Sequence, residues 1–140
     1  MLNALAHLNY LAVFVTALAG FSVGWLWFSP VLFAKAWMTE LKLTPERVQA
    51  GGYNMWKIFG TSFVVTVISS LGLAVLIAAV GTTGALNGAA LGAWVGALVV
   101  GTRMINGGLW ELRSARLNAI CVGHEVVMFA VQGAILGVWR

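Results

Sequence analysis

Glu125 is the one acid inside the long apolar stretches of this 140-residue chain. An ionised carboxylate in hydrocarbon is costly, so such a residue faces the interior of a helix bundle, either as a protonated acid hydrogen-bonded across helices or as a group that handles protons or solutes. Asn118, Glu125 and Gln132 recur every seven residues, with Cys121 and Met128 between them. Two helical turns separate each pair, which places a polar stripe down one helix face. Ser22 and Thr66 fall at comparable depth on other segments and are the expected hydrogen-bond partners, whereas Arg103 would have to reach inward to pair. His124 and Cys121 are one turn apart and, with Glu125, form a fragment of a metal site. A working centre needs three or four convergent ligands. The other histidine, His7, belongs near the opposite end of the bundle, roughly 20 Å away along its axis. The two cannot share a metal or a haem, and no cofactor is predicted.

Other chemistry finds no motif. The chain has no glycine-rich phosphate loop, nucleophile elbow, paired catalytic carboxylates or metalloprotease signature, so nothing argues for an enzyme. The formal charge is +4, but the eight basic residues form no dense run, which argues against nucleic acid. Cys121 stands alone, so no intrachain disulfide is possible.

The elements that position these residues follow from composition. Hydrophobic residues make up 61% of the chain and charged ones only 9%, about a third of the charged fraction of a soluble domain. The matching solvent is lipid. Counting charge-free stretches against the roughly 20 residues needed to cross the hydrocarbon predicts an all-α, polytopic membrane protein in one domain, 1–140. Its four transmembrane helices fall at about 5–28, 58–80, 85–104 and 117–139. No Lys or Arg precedes Lys35 and the first apolar run is long enough to span, so it reads as a retained helix and not a signal peptide. Spans two and three are joined by the turn Gly81-Thr82-Thr83-Gly84.

Lys35, Lys42, Arg47, Lys57, Arg103, Arg113 and Arg116 flank the 1–2 and 3–4 connections, against Arg140 alone on the other side. By the positive-inside rule both termini are predicted on the non-cytoplasmic side. Within the 1–2 connection, Phe33, Ala34, Trp37, Met38 and Leu41 recur at helical spacing with Lys35, Thr39 and Lys42 opposite. This predicts a cytoplasmic interfacial amphipathic helix over about 31–43. Thr44-Pro45-Glu46 then reads as an N-cap, a first-turn proline and an early acid, opening a short helix that Gly51-Gly52 ends.

Small residues supply the most specific pattern. Gly84, Gly88, Gly92 and Gly96 repeat every four residues, with Ala85, Ala89, Ala93 and Ala97 beside them, and Gly20/Gly24 and Gly133/Gly137 repeat the spacing in spans one and four. Lipid gives helices no hydrophobic drive to associate, so close packing along such faces is a main source of cohesion. The expected arrangement is a 2–3 hairpin packed along glycine. Three small faces exceed what one hairpin contact requires, so either all are used within one monomer and its lipid shell or at least one builds a subunit interface, as in a homo-oligomer or an accessory subunit of a larger membrane complex. The hydroxyls of Ser62, Thr66, Ser69 and Ser70 read as packing groups or, alternatively, as the lining of a solute path. Of seven tryptophans, Trp25, Trp27, Trp37, Trp56, Trp110 and Trp139 lie at span ends or interfacial segments and Trp94 lies deeper. That distribution reads as an interfacial belt, with a pigment or quinone pocket as the alternative.

The segment Gly24-Trp25-Leu26-Trp27-Phe28-Ser29-Pro30-Val31-Leu32-Phe33-Ala34-Lys35-Ala36-Trp37-Met38 resembles the hallmark of a family of small bacterial membrane proteins, domain of unknown function 1761. The closing Gly133-Ala134-Ile135-Leu136-Gly137-Val138-Trp139-Arg140 is similar to that family's end, and Leu43-Thr44 and Trp110-Glu111-Leu112-Arg113 fit between. The resemblance implies a stand-alone four-helix protein of the bacterial inner membrane, with no activity established. The leading expectation is a non-catalytic protein acting through helix packing. The alternative is a small transporter or channel for protons or a small solute that uses Glu125.

Overall fold

The computed structural model describes residues 7–51 and 54–139. Leu5, where the first span was expected to start, Gly52 and Arg140 lie outside them. The helices are α1 (Tyr10–Trp27), α2 (Ala34–Glu40), α3 (Pro45–Ala50), α4 (Met55–Val80), α5 (Ala85–Trp110) and α6 (Ala115–Val138). Helices α1, α4, α5 and α6 are long and apolar enough to cross a membrane. The chain is a multi-pass, all-α membrane protein.

Caps set the helix ends. The side chains of Asn9, Thr44, Asn54 and Ser114 each accept from a backbone N–H in the first turn, at Ala12, Arg47, Lys57 and Leu117 respectively, which satisfies donors that a helix start leaves free. Thr44 also holds the Glu46 carboxyl below the ordinary carboxylate range by a hydrogen bond. Asn54 starts α4 three residues before the expected 58, and α5 continues six residues beyond 104. Counting charges locates the hydrocarbon, whereas a helix runs on into the headgroup layer, where charges are tolerated.

Helix α6 is the hub: it packs against α1, α4, α5 and α2, whereas α4 and α5 scarcely touch although a four-residue turn joins them. The expected 2–3 hairpin contact is therefore corrected to an α5–α6 contact. The reason is shape. The small face of α5 meets another small face on α6, while α4 turns bulky Leu73 and Ile77 into the core beside Val13, Met128, Phe129 and Leu136. Between α1 and α4 the fit is aromatic, with Phe63 edge-on to both Phe14 and Phe21 at 6.0 and 5.6 Å between centroids.

In the α5–α6 seam, Gly84 lies against Gly137, Gly88 against Gly133, Gly92 against Phe129 and Gly96 against Glu125, each contact running to the partner's backbone. Both helices step by four in opposite directions, so the match holds for four successive turns. A methyl group at Gly88 would overlap the Gly133 carbonyl, and one at Gly133 the Gly88 carbonyl. Each Cα–H thus points at the other helix's carbonyl oxygen, a weak hydrogen bond that recurs where helices touch backbone to backbone. At the outer rim of the seam the Gly84 N–H donates to the Gly137 carbonyl at 2.8 Å. Gly84 does so with φ +88°, and Gly81, with φ +72°, turns the chain out of α4; neither conformation suits a residue with a side chain.

Residues Val95–Gly101 form a π-helical turn. After Gly96 the next buried glycine is Gly101, then Gly108. Five residues overshoot one α-turn, but a ladder bonded five apart brings residue 101 back under residue 96. The π turn keeps α5's small face on α6, where Gly101 meets Val122 and Gly108 meets the Asn118 side chain.

Candidate functional site

His124 and Glu125 form the first of two polar clusters. They are neighbours on α6, their side chains are 13% and 18% exposed, and His124 Nδ1 lies 3.1 Å from Glu125 Oε1. The partner of the intramembrane acid is thus its own neighbour. Ser22 and Thr66 bond back to the carbonyls of Leu18 and Ser62 on their own helices, and Arg103 is exposed on α5 with no ion pair among the described residues. His124 is roofed by the hallmark segment: its ring is 5.1 Å from Phe28 and 6.3 Å from Trp27. Its Nε2 is buried without a hydrogen-bond partner and abuts Gly24, where a Cβ would sit 3.1 Å away. Gly24 therefore serves a side chain of α6, in contrast to the seam glycines. A histidine and a carboxylate in contact can hold and pass a proton. Among the described residues no group of three His, Cys, Asp or Glu side chains converges as metal ligands do.

The same region clamps the 1–2 connection to α6. Trp27 donates its indole N–H to the Ile120 carbonyl at 3.1 Å and packs tilted on Phe33 at 4.6 Å between centroids, while Phe28 packs tilted against Trp37 at 5.3 Å. At the far end of α2, Glu40 accepts from the Ser114 hydroxyl at 2.5 Å and faces Arg116 at 3.8 Å. Ser114 also caps α6. Helix α2 consequently runs beside the first turns of α6, from the level of Ile120 and Gly123 to its N-cap. Phe33, Trp37 and Met38 are half-buried on its inner side, with Lys35, Thr39 and Lys42 exposed.

Gln132 centres the second cluster. It is fully buried, and its amide donates to Ser70 Oγ at 2.9 Å, joining α6 to α4. Ser70 in turn donates its hydroxyl to the Thr66 carbonyl at 2.8 Å, and Ser69 donates to the same oxygen at 3.0 Å. Gly20 of α1 leaves the space that the Gln132 amide occupies, since a Cβ there would collide with it. Gln132 Oε1 and Thr16 Oγ1 are buried without protein partners. The expected stripe of Asn118, Glu125 and Gln132 is accordingly divided: Asn118 fits the notch at Gly108 on α5, Glu125 pairs with His124, and Gln132 reaches between α1 and α4.

Sequence reasoning overlooked Thr16, Ser70 as the partner of Gln132, and the inward turn of Trp27, which was assigned to the interfacial belt. Thr16 had a signal, because it lies one turn from Gly20 on the same face. Trp27 had none, because an indole at a span end reads the same whether it faces lipid or protein.

Comparison with curated proteins and with solved structures gives no match. The model of the family described as protein of unknown function (DUF1761) matches residues 11–137, a range that holds nearly all of the four spanning helices and both polar clusters, and the chain belongs to that family.

Proposed function

We propose that the protein is a non-catalytic membrane subunit that works through helix packing, either with further copies of itself or within a larger complex of the bacterial inner membrane. Its basic end faces the cytoplasm, with both termini on the other side and the lysines of α2 toward the headgroups. What carries this reading is α4. The seam glycines and Gly20, Gly24, Gly133 and Gly137 all find partners inside the chain, so the number of small faces no longer argues for association. Gly60 and Gly72 are different: nothing lies within 4 Å of a Cβ built on either. With Val64 and Ile68 between them at four-residue spacing, they form an exposed ridge with small ends. In lipid, such a surface leaves the side-chain ridge of Val64 and Ile68 free to pack against another helix, with room at its glycine ends.

The test is purification from the native membrane in mild detergent with a count of subunits. A defined assembly is expected, and Gly72→Leu disperses it while the folded monomer keeps its stability to within about 0.5 kcal/mol. A lone chain without companions overturns the reading.

A second reading, transport of protons or a small solute, is favoured by one observation. Two ionisable side chains touch within a spanning helix, and one has a nitrogen left over. Glu125→Gln keeps the size and hydrogen-bonding capacity of the side chain but removes its proton exchange. Proton flux into liposomes that is unchanged by this substitution excludes the pair from such a role.

A further inference from the structure

At the basic end of the bundle, the last turns of α5 carry a polar face with no protein to meet it. Gly101 and Gly108 are buried against α6, while Thr102, Arg103, Asn106 and Trp110 are exposed. Arg103, Asn106 and Trp110 are three and four residues apart, so they stand above one another on the side of α5 that looks away from α6. Trp110 is 85% exposed. Neither Arg103 nor Asn106 has a side-chain hydrogen bond or ion pair among the described residues.

Their depth identifies the surroundings. At about 1.5 Å per residue, roughly 30 Å of hydrocarbon takes about 20 residues. A helix that enters at Ala85 leaves the hydrocarbon near Met104, which puts the stripe from Arg103 to Trp110 in the headgroup layer. Charge defines the occupant. The basic end holds seven Lys and Arg against Glu40, Glu46 and Glu111. Each acid is already engaged, with Ser114 and Arg116, with Thr44, and with Arg113. Arg103 has no carboxylate left to it.

We propose that this face of α5 binds the phosphate headgroup of an anionic phospholipid, with the outward-reaching Arg103 guanidinium as its counter-charge, the Asn106 amide as a second donor and the Trp110 indole two turns further from the hydrocarbon, against the outer side of the headgroup. A guanidinium offers paired donors to two phosphate oxygens, and an indole prefers that depth of the bilayer. The site is a stripe of three side chains on one helix face and is distinct from the general attraction of a basic surface.

Native mass spectrometry of the full chain in detergent, with added phosphatidylglycerol or phosphatidylcholine of the same acyl chains, tests it. The wild-type chain is expected to retain phosphatidylglycerol preferentially. Arg103→Gln weakens that retention about tenfold or more, the loss of a charge-assisted hydrogen-bonded contact, while Arg103→Lys, which keeps the charge but not the paired donors, retains only part of it. Lys35→Gln removes the same charge from α2 and leaves retention unchanged. Equal losses from Arg103→Gln and Lys35→Gln overturn the site in favour of diffuse attraction. No preference in the wild type overturns it as well, and so does a change in subunit number on Arg103→Gln with lipid retention intact, which assigns the face to a second copy. Asn106→Leu, which leaves the charge in place, gives an independent reading should Arg103→Gln fail to fold, and unaltered retention in that variant counts against the site.

Discussion

Helix α6 meets α5 and α1 through glycines of the same four-residue spacing, yet the two contacts are built differently. Along α5 the glycines from Gly84 to Gly96 remove side chains so that backbone meets backbone, with one interhelical N–H···O bond at the rim. Along α1 the glycines make room for side chains of α6: Gly20 for the Gln132 amide and Gly24 for the His124 ring. A backbone cannot move aside without moving the whole helix, whereas a side chain can change rotamer. The α5 contact is therefore the rigid one, and the α1 contact is where polar groups can rearrange.

Substitution at the seam breaks this comparison most severely. Gly88→Ala places a methyl group on the Gly133 carbonyl, and the helices must separate along their length. The expected loss reaches or exceeds the ~3 kcal/mol upper range of ordinary overpacking, read as a fall in thermal unfolding temperature in detergent. A Gly88→Ala protein as stable as the wild type would falsify the backbone seam.

Gly20→Ala has a smaller effect, because the atom it meets is the end of a side chain. Gln132 swings away and gives up its bond to Ser70, at a cost of about 1–2 kcal/mol. Combined with Gln132→Ala, which removes the collision, Gly20→Ala becomes nearly neutral. The double-mutant cycle measures this directly, and strictly additive effects would show that the two residues do not meet.

Trp27→Phe sharpens the α1 side further, since it removes the N–H to the Ile120 carbonyl together with part of the indole that packs against Gly123 and Phe33. That carbonyl keeps its place in the α6 ladder, so the loss is about 1–2 kcal/mol, shared between the donor and the packing. Unfolding midpoints with and without the substitution supply the number. A loss as large as that of Gly88→Ala would mean that the aromatic roof over His124, and not the seam, holds the molecule together.

The two contacts also differ in how well they could be read in advance. Glycine spacing located every seam residue up to Gly96 but paired α5 with the wrong neighbour, because chain adjacency favours α4 and nothing in a one-dimensional pattern says which face a helix turns to which partner. Past Gly96 the spacing of five and then seven held the trace of the π turn, a signal legible only once a ladder other than α is considered. The polar stripe of α6 fared differently at each position. A heptad places residues on a face, but Asn118 and Gln132 reach different helices, and Glu125 found its partner one residue away, where helical-face reasoning does not look.

Hydropathy and charge along the chain were sufficient for the four spans, the short helices between them and the basic end. These follow from the cost of placing charge or an unbonded backbone in lipid, which acts on each segment separately. The choice of α6 as hub, the burial of Gln132 against Ser70 and the enclosure of His124 under Trp27 and Phe28 arose from packing. That choice depends on which pair of helix surfaces fits most closely, a property of two segments together that neither carries alone.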